Sequence, residues 1–167
     1  MKKRPFQRAT PTRSYKKIFV IAVEGNKTEP QYFKILNSTS SSVVQVKCLK
    51  GKHKSAPEQI KRRMMDYIKT EGLKKTDEAW LVLDVDASSE ERLDQLYIWS
   101  KSAENYGLAL SNPKFEYWLL LHFDEGTDIA SSKDCSNRLQ KYLPHYDKEI
   151  SIREIPVDSI QKAIKKR

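Results

Sequence analysis

The sequence predicts an α/β layered domain, with a mostly parallel sheet of about four strands flanked by helices. Two observations carry this. Short apolar, β-branched runs alternate with segments of helical spacing, the pattern of strand–helix–strand units with right-handed crossovers. The first such run is apolar throughout, which suits a strand covered on both faces. The 167 residues suffice for one domain with a core, and no second composition regime marks another.

The elements follow in order. Residues 1–15 are expected to be a flexible basic arm, and residues 16–167 a single domain. The first 17 residues hold seven Lys or Arg and no acid, with Pro5 and Pro11 and no apolar periodicity. KIFVIAV (Lys17 to Val23) is the first strand. Thr28 is a good N-cap, Pro30 fits a first turn, and Tyr32, Phe33 and Leu36 have helical spacing. The serine-rich NSTSSS is a loop. VVQVKCL (Val43 to Leu49) is the second strand, followed by a basic loop through Gly51, Lys52, His53 and Lys54. Ser55 then caps a helix with Pro57 in its first turn, running to about Glu71. Its apolar stripe is Ile60, Met64, Tyr67 and Ile68.

AWLVLDV (Ala79 to Val85) is the third strand. Ser88 or Ser89 caps the next helix, with Glu90 and Glu91 suited to its dipole and Leu93, Leu96, Tyr97 and Ser100 as its core face. GLAL (Gly107 to Leu110) is the fourth strand. Asn112 and Pro113 open a helix through NPKFEYWLLLHF. Further helices are expected from about residue 131, over Lys133 to Tyr142 and from near Asp158. The KKR ending continues the last helical pattern, either as a basic tail or as a chain cut within a helix. No internal repeat is visible.

Charge narrows the function. Charged residues make up 32% of the chain, hydrophobic ones 38%, and the formal net charge is +9. Such a balance favours an acidic partner, of which nucleic acid is the commonest; solubility alone is the plainer explanation. No run is apolar and long enough to span a membrane, and no signal-peptide core is present, so a cytoplasmic protein is expected. Cys48 and Cys135 are expected as separate reduced thiols. The three histidines and two cysteines form no close ligand pair, which argues against zinc.

In parallel sheets ligands bind beyond the carboxyl ends of the strands. Glu24 stands at that end of the first strand, Asp84 and Asp86 at that end of the third. Period-two alternation points Asp84 and Asp86 to one side, with Val85 opposite. Three carboxylates converging there would repel one another and raise their pKa values, a penalty that a divalent cation removes. An oxygen-only ligand set indicates Mg2+ or Mn2+. Gly25 offers a positive φ or room for a phosphate to approach, and the helix start near Thr28 offers backbone N–H groups to receive it. Glu29 is either a further metal ligand or a dipole-compensating carboxylate. Neither EGNKTE nor GKHKS supplies a P-loop. The DxD of haloacid-dehalogenase phosphatases lies on their first strand, not the third.

Apolar strand, Glu24-Gly25, then apolar strand and Asp84-x-Asp86, resembles the Toprim domain of topoisomerases, primases, OLD-family nucleases and small ribonucleases. EGNKTEPQYF, LVLDVD and SNPKFEYWLLLHF more specifically resemble the RloB family, Toprim-like proteins associated with bacterial phage resistance and abortive infection. The resemblance runs from Lys16 to the end. It implies a Toprim-like (Rossmann-like) fold and a metal-dependent phosphodiester nuclease. Glu24 would match the family's glutamate, as acid/base or metal ligand, and Asp84 and Asp86 its metal-binding aspartates. It also implies an AAA/ABC-type ATPase encoded nearby as partner. Some Toprim enzymes carry a further acid, as DxDxD, where this chain has Ser88.

The remaining candidates surround that rim. Glu116 lies one turn into the helix after the fourth strand and is the fourth acidic candidate; dipole stabilisation is its plainer role. Phe115, Trp118 and Leu119 read as core, and His122 as a packing histidine. Ser111 and Asn112 stand at a strand end, placed to meet substrate. Lys27, Lys50, Lys52, His53 and Lys54 fall in loops on the same rim, as phosphate contacts or as a solvated basic loop. Lys61, Arg62 and Arg63 read as solvent-exposed. The leading expectation is a nuclease acting on DNA or RNA, tRNA included. The alternatives are a weakly catalytic or non-catalytic regulatory subunit of an ATPase complex and a non-specific nucleic-acid-binding domain.

Overall fold

The computed structural model describes residues 16–39, 44–51, 56–85 and 90–166. Four strands, β1 (Lys17–Val23), β2 (Val44–Leu49), β3 (Glu78–Asp84) and β4 (Tyr106–Ser111), form one sheet in the order β2-β1-β3-β4. Every pairing is parallel. Helices α1 (Thr28–Thr39), α2 (Pro57–Glu71) and α3 (Glu90–Ser100) connect the strands. The helices α4 (Phe115–Leu120), α5 (Ser132–Tyr142) and α6 (Val157–Lys165) follow β4. The arrangement is α/β and Rossmann-like, as the alternation predicts.

Strand alternation divides the core in two. Val20 and Ala22 of β1, with Ala79, Leu81 and Leu83 of β3, face Ile60 and Met64 of α2 and Leu96 and Trp99 of α3. Ile21, Val23 and Val82 face the other way, onto Tyr32 and Ile35 of α1 and Phe115, Leu119 and Leu120 of α4. Ile150, Ile155 and Ile160 close that second core from the C-terminal region. The last four residues of β1 are buried, as its unbroken apolar run requires.

The helix starts differ from the sequence reading in instructive ways. Thr28 lies inside α1, and its hydroxyl donates to the Lys148 carbonyl at 2.9 Å instead of capping its own helix. The Ser55 and Ser88/Ser89 caps lie outside the described residues; Ala56 precedes Pro57 at the start of α2. Gly72 closes α2 with φ 75 and donates its N–H to the Ile68 carbonyl, a left-handed end that glycine adopts without strain. On α3, Trp99 is buried while Tyr97 is 55% exposed, so the core face is rotated from the one expected. Trp99 stacks on Tyr106 of β4 with ring centroids 4.6 Å apart. Asn112 and Pro113 do not open α4. That helix starts at Phe115, and Lys114 before it makes no side-chain cap. Ser131 caps α5 by accepting from the Asp134 N–H.

Cys48 and Cys135 are free thiols. Among the described residues no helix is long and apolar enough to cross a membrane.

Candidate active site at the carboxyl end of the sheet

The strand order reverses direction between β1 and β3. From β1 the chain runs outward to β2, then returns across to β3 and β4. Crevices at such switch points are where open α/β sheets bind ligands. Glu24 follows β1 and Asp84 ends β3, so the two flank this crevice. The Glu24 N–H donates to the Val82 carbonyl at 3.2 Å, and the Asp84 N–H donates to Glu24 Oε2 at 3.4 Å. Glu24 is 3% exposed.

Two further carboxylates join them. Glu29, in the first turn of α1, is buried, and its Oε1 accepts from the Gly25 N–H at 2.9 Å. Glu116, in the first turn of α4, is also buried and accepts from the Tyr146 hydroxyl at 3.0 Å and from Lys148 Nζ. Asp84 Oδ1 accepts from the Phe115 N–H at 2.8 Å. Asp84 thus supplies from a distant strand the α4 cap that Lys114 lacks, and so fixes the helix that carries Glu116.

The electrostatics of these acids diverge. Burial pushes Asp84 up to about 7, and the charges of Glu29, Glu24 and Glu116 add to the shift against the Phe115 N–H. Burial also raises Glu29, opposed by backbone N–H groups of Glu29 and Gly25. Glu116 goes the other way. Burial raises it, but the Lys148 ammonium outweighs burial and holds its carboxyl below the usual range.

Gly25 has a different purpose from the one the sequence suggests. Its φ is not positive. A Cβ there would lie 2.1 Å from Glu29 Oε2, so the glycine makes room for the folded-back carboxylate of Glu29. That carboxylate accepts from the Gly25 N–H and from its own N–H in the first turn of α1, which fits the dipole-compensating role of Glu29.

The other expected residues fall variously. Asp86 and the loop residues Lys52, His53 and Lys54 lie outside the described residues. The strand itself ends at Asp84. Ser111 pairs with Asp84 across β4 and β3, with Asn112 exposed beside it. Lys27 is exposed and lies 3.7 Å from Glu149, while Lys50 is exposed at the end of β2. Arg63 corrects the reading of a solvated cluster. Its Nη2 donates to the Val23 carbonyl at 2.9 Å, its Nε is buried, and burial lowers its pKa. His122 packs as expected, with Nδ1 3.1 Å from Ser159 Oγ, and burial pushes it down to about 4.

Tyr146 and Lys148 were invisible in the sequence. They come from the irregular stretch between α5 and α6, which has no periodicity to read. Position-by-position chemistry offers one signal only, the polar–aromatic string HYDKE between two helical patterns. Among the described residues, no group of three Asp, Glu, His or Cys side chains is gathered closely enough to hold a metal ion.

A four-stranded, all-parallel, Rossmann-like sheet with buried carboxylates at its switch point defines the class of protein. The chain belongs to the RloB-like protein family, whose model matches residues 19–167. No curated protein and no solved structure matches it.

Proposed function

We propose that the protein is a Toprim-type, metal-dependent phosphodiesterase acting on nucleic acid. The observation that carries this reading is Asp84, pushed up to about 7 in a buried cluster with Glu24, Glu29 and Glu116. Among the described residues the Lys148 ammonium bonds Glu116, and an external cation would relieve the repulsion that Glu29, Glu24 and Glu116 exert on Asp84. The donor set is all oxygen, which suits Mg2+ or Mn2+ and not a soft metal.

Asp84 and Glu24 are the proposed ligands, with Asp86 as the third by sequence position and Glu29 in support. A bound divalent ion supplies charge neutralisation and a more acidic water. The protein's own groups do the rest. Asp84 keeps the α4 start, and with it Glu116, fixed against β3. Glu24, which accepts from the Asp84 N–H, is the proposed group to pass a proton to or from the leaving oxygen. Ser111, Asn112, Lys27 and the loop cations Lys52, His53 and Lys54 are the proposed contacts to flanking phosphates. The net charge of +9 supports a polyanionic substrate, DNA or RNA.

The family resemblance extends the proposal to phage defence, with an AAA/ABC-type ATPase as partner. The test is a cleavage assay on plasmid DNA, single-stranded DNA and tRNA with Mg2+ or Mn2+. Cleavage by wild type that stops in Asp84→Asn supports the reading; metal-independent or unchanged cleavage overturns it.

One observation favours the regulatory alternative. Asp84, Glu29 and Glu116 each already accept from a group of the protein itself, and no three acids among the described residues close on one point. On that reading the chain is a nucleic-acid-binding subunit of an ATPase complex. Tight ATPase association without cleavage by the complex supports it.

A further inference from the structure

The stretch from Tyr146 to Ile150 is tied across the start of α1. The Thr28 hydroxyl lies 2.9 Å from the Tyr146 hydroxyl and donates to the Lys148 carbonyl, also at 2.9 Å. The Ile150 N–H donates to Gln31 Oε1 at 2.8 Å, and Ile150 itself is in the core. The backbone at Lys148 is therefore clamped on both sides. It is also left-handed, with φ 62. Glycine or asparagine would adopt that conformation more readily, and a lysine there costs about 1 kcal/mol. An outlier held by its surroundings at the edge of an acidic cluster motivates a functional reading.

The side chain delivers an ammonium to the cluster from the solvent side. The Lys148 side chain is 58% exposed, whereas that of its partner Glu116 is 6% exposed. Glu29 and Asp84 also act on it electrostatically. An ammonium has three donors, and among the described residues Lys148 has one hydrogen-bond partner, Glu116 Oε1. Three other described cations near the rim are differently placed. Lys27 lies near Glu149, Lys114 Nζ donates to Ser136 Oγ, and Arg63 donates to the Val23 carbonyl. A phosphate approaching the switch-point crevice from solvent meets Lys148 before it meets the buried acids.

We propose that Lys148 is a substrate-phosphate contact, an ammonium that bridges buried Glu116 and a non-bridging phosphate oxygen of the nucleic-acid backbone. The inference rests on the nucleic-acid reading of the site. It adds a binding residue from a segment that no motif marks. Glu116 then has a second role, since its Oε1 aims the ammonium, a bond that the amide oxygen of Glu116→Gln can still accept.

The test uses the full chain and a fluorescein-labelled 12-nucleotide single strand, as DNA and as RNA, with Ca2+ in place of Mg2+ to hold off cleavage. Anisotropy titrations at several KCl concentrations compare wild type, Lys148→Asn, Lys148→Arg, Glu116→Gln and the Glu116→Gln/Lys148→Asn double variant. Asparagine suits the left-handed backbone, so the fold is not put at risk by strain. The expected result is a loss of about tenfold in affinity for Lys148→Asn, with the salt slope reduced by about 0.7. The same loss is expected in the Glu116→Gln background, with Lys148→Arg close to wild type. Mn2+ affinity by calorimetry should be unchanged or tighter in Lys148→Asn, because a neighbouring positive charge has gone.

Unchanged oligonucleotide affinity in Lys148→Asn overturns the proposal. So does an effect that vanishes in the Glu116→Gln background, which would make Lys148 a partner of Glu116 alone. Parallel loss of Mn2+ binding, oligonucleotide binding and circular-dichroism signal also overturns it, as a folding defect. Wild type that binds neither Mn2+ nor oligonucleotide sinks the nucleic-acid reading itself, and this contact with it. Wild type that binds both, beside an unaffected Lys148→Asn, sinks this contact alone.

Discussion

Asp84 and Asp124 are the same residue in opposite surroundings. Asp124 sits just beyond α4 with four donors arranged around it. It accepts from the Gly126 N–H and Arg138 Nε at 2.9 Å and from the Tyr142 hydroxyl at 2.8 Å, and Arg138 Nη2 lies 2.9 Å from its other oxygen. Burial would raise it, but these donors win and hold its carboxyl below the usual range. Asp84 has one backbone donor and three acidic neighbours, and is pushed up to about 7. One carboxylate is neutralised by its own chain and serves to join α4, α5 and the loop between them. The other has no cation bonded to it among the described residues and is surrounded by like charges. A strongly raised, buried carboxylate of this kind is the arrangement expected at a functional site, and it is what the proposed reading of Asp84 rests on.

The comparison can be broken most directly by activity. Asp84→Ala should lower metal-dependent cleavage on the order of 100-fold or more, whereas Asp124→Ala should leave cleavage of the folded protein near wild type. Initial rates on a fluorescent oligonucleotide decide this. Equal losses in both variants would erase the distinction.

The second prediction concerns pH in the absence of metal. The folded pKa of Asp84, about 7, lies above its ordinary value of 3.8, so between those values the folded state holds the extra proton. Stability conferred by that proton is present near pH 4 and is lost as pH rises towards 7. At pH 8 the ionised Asp84 should therefore cost on the order of 2 kcal/mol, and Asp84→Asn should be more stable than wild type by about that amount. The gap between the two should narrow steadily as pH falls from 7 and close only near pH 4, at the ordinary value. His122, with a folded pKa of about 4 against an ordinary 6.5, pulls the other way on acidification. Because it is present in both proteins, the difference between their urea midpoints isolates Asp84. A pH-independent gap would contradict the assigned shift.

Smaller effects belong to the structural side. Asp124→Ala should destabilise by about 2 kcal/mol through loss of its charged and neutral hydrogen bonds, read by urea denaturation. Gly25→Ala should cost about 1 kcal/mol, because its Cβ would displace the Glu29 carboxylate from the Gly25 N–H. A fully stable Gly25→Ala would show that Glu29 has another place to go at no cost.

The same contrast explains what the sequence could and could not reveal. β1, β3 and their terminal acids were legible because a buried strand and its end are encoded by adjacent residues. Glu116 was legible for the same local reason, as an acid in a first helical turn. The α4 cap was not, because it comes from Asp84, 31 positions away in the chain. A cap by Asn112 was the best local guess, and a non-local one displaced it. Tyr97 and Trp99 both fit helical periodicity loosely, and stacking on Tyr106 decided between them. Gly25 was recognised as special, but it has no positive φ, and the group that its missing side chain makes room for in the structure is the Glu29 carboxylate. Arg63 looked like one of three solvated cations until the end of β1 gave it a carbonyl to bind. Lys148 had no signature beyond the HYDKE string, and its proposed role depends on a chain segment that folds back over α1.

Calorimetric titration with Mn2+ at pH 7.5 tests the central claim most directly, using wild type, Asp84→Asn and Asp124→Asn. The account predicts binding by wild type and by Asp124→Asn, with none by Asp84→Asn, whose amide still accepts the Phe115 N–H and so keeps α4 in place. Equal binding by Asp84→Asn, or no binding by wild type, would contradict it.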